Sequence, residues 1–278
     1  MKYYKILRSD MKHHGFVYKE GLNIDTEPFD ETPDCGGGLF FSDAENILSF
    51  VDYGDLIAEV EIPDGTKIVQ VENKYKAHAI VLKNIKPLWN INTFEYFIQK
   101  GIDIHVNADW AFVYAATNNY LNVVRFLVDN GADIHVNDDW ALRLAAENGH
   151  SEVVKYLISK GADIHVNDDW ALQLAAENGY LEVVKCLIDN GADIHADDDL
   201  ALQFAAENGY LEVVRYLIDK GANIHADNDY TFRLAAINGH LDIVKYLAGH
   251  GANIHAADDC AFKYGTPEVV AYLNSLNK

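Results

Sequence analysis

Apolar and polar positions along most of the chain repeat with a 30-residue unit, represented by residues 131–160. In this unit, residues 140–147 have helical spacing and end at Asn148-Gly149, a pair that supplies the left-handed residue closing a helix. Residues 151–160 place their apolar side chains on one face and predict a second helix. Asp138 or Asp139 is expected to cap the first helix through its side chain. The segment between units, such as 162–167, has no helical pattern and predicts an extended turn.

The unit recurs from residue 101 onward, which predicts an all-α solenoid of stacked helix pairs over 87–278, curved and without a closed core. Residues 87–100 match only the second helix of a unit and predict an N-terminal half-repeat. Residues 251–278 are shortened, as expected of a C-terminal cap. Full repeats are expected to begin near residues 101, 131, 161, 191 and 221.

Residues 1–86 do not repeat and predict a separate α+β domain rich in strands. Their alternating apolar stretches predict strands at residues 3–7, 15–24 (broken by a turn), 39–41, 56–62, 67–71 and 79–82. One helix is expected at residues 44–51, capped by Ser42 or Asp43.

The repeated unit W-A-L-R-L-A-A-E-N-G-H-S-E-V-V-K-Y-L-I-S-K-G-A-D resembles the ankyrin repeat. The family's T-P-L-H tetrad is replaced here, and the unit has 30 residues against the family's usual 33 or so. Because the missing residues lie between G-A-D and the first helix, the resemblance implies short, blunt hairpin fingers. It also implies protein–protein binding.

The first domain resembles the N-terminal domain of ankyrin-repeat proteins from giant viruses of the mimivirus group. The resemblance rests on G-F-x-Y-x-x-G-L-N-I-D at 15–25, G-G-L-F-F-S at 37–42 and I-A-E-V-E-I-P at 57–63. It implies an interaction protein that acts in the infected host cell, with the N-terminal domain as a second interaction or effector domain.

Charge and cysteine content narrow the classes of partner. The net charge is −21, and most of the acidic excess lies in the repeats. This disfavours nucleic acid and anionic membrane, favours solubility, and would suit a basic protein partner. Three scattered cysteines without a C-x-x-C pair indicate a reducing compartment. The N-terminus lacks a signal peptide pattern and no apolar run is long enough to span a membrane, so we expect a protein of the host cytoplasm that is neither secreted nor membrane-spanning.

Two recurring polar positions invite a metal interpretation, which we disfavour. A histidine occupies one position in every unit: 105, 135, 165, 195, 225 and 255. Units stacked about 8–10 Å apart cannot share one zinc, so a hydrogen-bonding role is expected, with pH response as the alternative. The aspartate clusters near 138, 168, 198 and 258 lack the glycine and distal glutamate of a calcium loop, so helix capping together with solvated surface charge is expected. We predict no metal and no cofactor.

The candidate binding surface is the concave face, where aromatic residues begin the first helices. Buried packing between units is the alternative for these aromatic positions. The adjacent position alternates between arginine and glutamine while its neighbours are copied, as a partner-facing position would. The predicted binding residues are Trp110, Trp140, Arg143, Trp170, Gln173, Gln203, Tyr230 and Arg233.

An enzymatic alternative comes from residues 14–60. His14-Gly15, Gly38-Leu39-Phe40-Phe41-Ser42 and Ala58-Glu59-Val60 loosely resemble the ADP-ribosyltransferase core. Phe40 stands where that family has a nicotinamide-stacking tyrosine, and no late catalytic glutamate is evident. We therefore expect a non-enzymatic interaction module, with an active or degenerate transferase domain as the alternative.

Overall fold

The computed structural model describes residues 1–33 and 37–276. The chain packs as two compact units, residues 1–136 and 137–278, which are described separately. Strands end at Pro87 and the first α-helix begins at Ile91. The predicted domain boundary between residues 86 and 87 falls at the last residue of β9, whereas compact packing divides the chain after Val136.

A seven-stranded antiparallel sheet forms the centre of the first unit, in the order β4-β9-β6-β1-β5-β8-β7. The short hairpin of β2 and β3 is separate from it. The strands are β1 Tyr3–Leu7, β2 Lys12–His13, β3 Phe16–Val17, β4 Gly21–Ile24, β5 Leu39–Asp43, β6 Leu56–Glu61, β7 Ile68–Val71, β8 Lys74–Ala77 and β9 Ala79–Pro87. The strand-rich first domain predicted from alternation is thus confirmed, although β8 was not predicted.

A 3₁₀ helix, Ile47–Tyr53, packs against β1 and β5 of the sheet. Leu39, Phe41, Ile80 and Leu82 are buried in the core of the sheet, where side chains are removed from water. The helix predicted at residues 44–51 thus exists as a shorter, displaced 3₁₀ helix. The turn that leads into this helix is fixed by Asp43, whose Oδ1 accepts hydrogen bonds from the backbone N–H groups of Glu45 (3.2 Å) and Asn46 (3.0 Å).

Three helices complete the structure of the first unit: α1 Ile91–Lys100, α2 Val106–Thr117 and α3 Leu121–Asp129. α1 packs against α3, and α2 packs against the 3₁₀ helix. Trp89 stacks on Tyr114 and Tyr120 at 4.8 and 4.9 Å between ring centroids. Residues 87–100 therefore cover the first repeat as a half-repeat would, except that Ile98 is 44% exposed and does not take part.

The second unit consists of antiparallel helix pairs. Its helices are α4 Val136–Glu147, which begins at the last residue of the first unit, α5 Ser151–Ser159, α6 Val166–Glu177, α7 Leu181–Asp189, α8 Ala196–Glu207, α9 Leu211–Asp219, α10 Ala226–Asn238, α11 Leu241–Gly249, α12 Ala256–Tyr264 and α13 Pro267–Leu276. α6, α8, α10 and α12 pack side by side in this order. The fully buried pairs Ala175-Ala176 and Ala205-Ala206 have little bulk, which suits such close packing of neighbouring first helices.

Each first helix begins with a turn of left-handed backbone that the sequence analysis did not predict. In α6, Asn167, Asp168 and Asp169 have φ between 52° and 57°. Most L-residues avoid this region because of steric crowding and asparagine and aspartate tolerate it best, so the Asn/Asp runs match the backbone that they adopt; Ala108 and Ala257 adopt it as well. The expected extended turn at 162–167 is therefore wrong from residue 164 onward, where a turn leads directly into α6. The left-handed turn thus stands where the resemblance implied a short hairpin finger.

The glycines that end the first helices have positive φ, as predicted. Gly149, Gly179, Gly209 and Gly239 have φ of 75°, 75°, 82° and 80°. In the first unit Asn119 takes the equivalent position with φ 62°.

Candidate functional site

The recurring histidine and aspartate form hydrogen-bonded sets that join consecutive repeats. In the second unit, His195 Nδ1 lies 3.1 Å from Asp199 Oδ1. The same carboxylate oxygen accepts a 2.7 Å hydrogen bond from the backbone N–H of Asn223 in the next repeat. Asp199 is only 4% exposed, so these donors take the place of water around its charge.

The same arrangement recurs along the chain: His165–Asp169–Asp193 and His225–Asp229–Asn253 in the second unit, and His105–Asp109–Asp133 in the first. The hydrogen-bonding role predicted for the histidines is thereby confirmed at these positions. The capping role predicted for the aspartates is wrong at α2, α6, α8 and α10: Asp109, Asp169, Asp199 and Asp229 bond to the histidine of their own repeat and accept from a backbone N–H of the next. The aspartate carboxylates are turned to the following repeat instead.

The alternating arginine and glutamine position also has an intramolecular role. Gln173 Nε2 donates a 2.7 Å hydrogen bond to the carbonyl oxygen of Asp168, and Gln203 does the same to Asp198. Arg143 donates to the carbonyl oxygens of Asn137 (2.9 Å) and Asp138 (3.1 Å). These carbonyls belong to the left-handed turns.

This geometry corrects the expectation that all four of these side chains face a partner. Gln173 and Gln203 are only 3% and 5% exposed, because each folds back over the turn that precedes its own helix. Arg143 and Arg233 are half-buried, and Arg233 lies 4.7 Å from the Tyr230 ring while bonding to the carbonyls of Asp227 and Asn228. Arginine and glutamine alternate here because both carry N–H donors that reach the turn.

The aromatic residues at the start of the first helices are neither fully buried nor fully exposed. Trp140 and Tyr230 are half-buried, whereas Trp170 is 47% exposed. In the first unit, Trp110 is half-buried and lies edge-on to Tyr114 at 6.3 Å. Because α6, α8 and α10 pack side by side, Trp170, Leu200 and Tyr230 form a row. We call these three residues, together with Trp140 at the equivalent sequence position of α4, the first-helix row.

Some of the residues that resemble the ADP-ribosyltransferase core lie close together in the structure. His14, Phe40, Phe41 and Ser42 all line a cavity of about 210 Å³ in the first unit. Glu59 does not line it: its carboxylate hydrogen-bonds the Tyr96 hydroxyl. The cavity was not predicted from the sequence, although the basic residues around β1 and β2 could have drawn attention to it.

Metal binding, membrane spanning and cysteine chemistry were also considered from the sequence, and the described residues bear on each of them. No group of three or more His, Cys, Asp or Glu side chains within 1–33 and 37–276 is placed to hold a metal ion. No helix in the described part of the chain is long and apolar enough to cross a bilayer. Cys186 and Cys260 are free thiols, and burial raises the pKa of Cys186; Cys35 lies outside the described residues.

Comparison with known proteins agrees with this repeat geometry. A family pattern described as ankyrin repeats (3 copies) matches residues 88–168, 142–228 and 172–258. Among relatives from Acanthamoeba polyphaga mimivirus, ankyrin repeat protein R229 is 35% identical over 41% of this chain and 40% of its own length. R896 is 38% identical over 44% of this chain and 39% of its own length. R868 is 32% identical over 44% of this chain and 64% of its own length.

These matched regions span less than two thirds of each of these relatives. With the family pattern extending over residues 88–258 and the helix pairs continuing to Leu276, the chain belongs to the ankyrin-repeat family.

Proposed function

We propose that the repeats bind a protein partner through the first-helix row, with the half-buried Arg143 and Arg233 beside it. The observation that carries this proposal is the 47% exposure of Trp170 within that row. Partly exposed aromatic side chains supply large contact areas and are enriched at the energetic centres of protein interfaces. The buried Gln173 and Gln203 are left out of the proposed contact surface, and Trp110 stays a further candidate in the first unit.

Exposed carboxylates flank this row and suggest the charge of the partner. Asp138, Asp168 and Asp198 are exposed, each two residues before a first-helix row residue. A partner that inserts apolar groups at Trp170 would bring its own basic groups close to these carboxylates, which steers association through opposite charge. We therefore propose a basic protein segment, and neither nucleic acid nor an anionic membrane, as the partner.

The compartment and the enzymatic status are part of the same proposal. We infer an intracellular, reducing location in the host cell, which suits the free Cys186 and Cys260. We also infer a non-enzymatic protein, since the cavity holding His14 and Phe40 is lined by no carboxylate of the described residues. NAD-dependent release of nicotinamide that disappears in His14→Ala would establish the transferase alternative instead.

Affinity capture from infected host cells with the full chain tests the binding surface. Trp170→Ser is compared with Ile237→Ser, which removes another exposed apolar side chain (41% exposed) from the same unit, outside the first-helix row. We expect Trp170→Ser to lose the captured partner and Ile237→Ser to retain it. Equal capture by both variants would place the partner site elsewhere, and capture insensitive to salt would exclude the charge contribution.

A further inference from the structure

The cavity of the first unit collects positive charge in a strongly acidic chain. Its volume is about 210 Å³, and its walls come from β1, β2, β5, β8 and the 3₁₀ helix. The basic side chains that line it are Lys5, Arg8, Lys12, His13, His14 and Lys74. Within 1–33 and 37–276, no aspartate or glutamate lines the cavity, although the net charge of the chain is −21.

Lys5 is the most unusual of these groups because its ammonium is buried and no carboxylate within residues 1–33 and 37–276 pairs with it. The residue is 6% exposed. Its Nζ donates a 2.6 Å hydrogen bond to the carbonyl oxygen of Phe40 and lies 4.5 Å from the centre of the Tyr18 ring. Burial lowers its pKa to about 7. An ammonium has three N–H donors, so an oxyanion in the cavity could accept another hydrogen bond and offset the buried charge.

The other basic side chains of the cavity also direct positive charge into it. The pKa of His13 is lowered to about 4, first by burial and then by repulsion from Lys5, His14, Arg8 and Lys74. Three of these groups lie within residues 5–14 and Lys74 lies on β8, yet all of them act on one imidazole. Their positive potential therefore converges inside the cavity, where the surrounding protein screens it less than bulk water would.

Aromatic rings supply the rest of the lining. Phe40 lies 5.0 Å from Lys74 Nζ, so a ring and an ammonium are adjacent in the wall. Phe50 and Tyr53 stand edge-to-face at 6.0 Å, and Tyr53 is 52% exposed. A wall with basic groups beside aromatic faces can contact both the charged end and the flat face of one molecule.

We propose that this cavity binds a small planar organic anion, an oxyanion carried on a flat ring, with Lys5 and Lys74 contacting the oxyanion and Phe40, Phe50 and Tyr53 contacting the ring. The site is separate from the first-helix row. It needs no catalytic group, so the proposal holds whether or not the domain has enzymatic activity.

Calorimetric titration of the full chain tests this proposal with four probes: AMP, benzoate, adenosine and inorganic phosphate. We expect saturable binding of AMP or benzoate with one molecule per chain, and the two compounds distinguish a phosphate from a carboxylate. Adenosine lacks the anion and inorganic phosphate lacks the ring, so both should bind much more weakly. Binding of neither AMP nor benzoate, or of adenosine or phosphate as tightly as the ring-bearing anions, would overturn the proposal.

Two cavity variants and one matched control locate the binding. Lys74→Gln removes one charge from the wall and should weaken the bound anion about tenfold or more, because hydrogen bonds to charged groups are the strong ones. Lys5→Met should abolish binding while raising the thermal midpoint, since it removes a buried ammonium that no carboxylate of the described residues neutralises. Lys19→Gln removes an exposed lysine that does not line the cavity and should leave the affinity unchanged. Equal effects of Lys74→Gln and Lys19→Gln would refute the assigned site.

Discussion

Gly179 at the end of α6 has two separate reasons to be glycine, and Gly179→Ala tests both. Its φ is 75°, a conformation that is unfavourable for alanine by about 1–2 kcal/mol. In addition, a Cβ at this position would lie 2.4 Å from Cδ1 of Tyr210, the residue that precedes α9 in the next repeat. Because Cγ of the same ring would be only 2.7 Å away, the whole ring must shift.

The expected loss of stability combines these contributions. Overpacking of this kind costs about 1–3 kcal/mol. Restriction of the unfolded chain by alanine recovers about 0.4–1 kcal/mol. We therefore expect Gly179→Ala to lower the free energy of unfolding by about 1–5 kcal/mol, centred on about 3 kcal/mol, against about 1–2 kcal/mol from the backbone conformation alone. Urea denaturation followed by circular dichroism measures this loss.

Gly101→Ala is the matched control, since Gly101 has φ 71° but no atom lies within 4 Å of the place that an alanine Cβ would occupy. It should show backbone strain without the clash and lose about 1–3 kcal/mol less than Gly179→Ala. The double variant Gly179→Ala/Tyr210→Ser should be more stable than the sum of its single changes indicates, because removal of the ring relieves the clash. Equal losses for the two glycine variants, or strict additivity in the double variant, would refute the reasoning.

Three further changes test the contacts between and within repeats. Asp199→Ala should lower the free energy of unfolding by about 1–3 kcal/mol in urea denaturation, because it leaves the backbone N–H of Asn223 in the next repeat without its acceptor. Asp198 is exposed and has a similar φ, so Asp198→Ala should lose clearly less. Arg143→Gln should leave the free energy of unfolding nearly unchanged, whereas Arg143→Leu should lower it by about 1 kcal/mol, because only glutamine can still donate to the carbonyls of the left-handed turn. Identical urea midpoints for the two variants would show that these hydrogen bonds do not contribute to stability. Lys5 binds its proton more weakly in the folded than in the unfolded chain, so the free energy of unfolding should rise as pH increases from about 7 towards 10.5, and this rise should be absent in Lys5→Met.

Much of the repeat structure could be predicted from the sequence because it depends on local properties. The spacing of Val183, Val184 and Leu187 on one helical face, and the glycine after each first helix, are consequences of the helix period and of glycine's freedom to take positive φ. The fixed period then requires neighbouring units to pack in the same way. The strands of the first domain followed from their alternation for the same reason.

Other features depended on which residues meet across the fold, and only the tertiary structure decided them. The variation of Gln173 and Gln203 indicated surface positions, but both side chains bond to a left-handed turn whose backbone could not be predicted from the spacing of apolar residues. Asp199 reaches a backbone N–H that lies 24 residues later, which a local capping rule cannot anticipate.

The cavity is the clearest case of a site formed by strand order. Lys5 and Lys74 are far apart in the sequence, and they line one cavity because β5 lies between β1 and β8 in the sheet. Strand order and register are set by burial and hydrogen bonding over the whole sheet, so a single sequence predicts the strands but not which of their side chains share a wall.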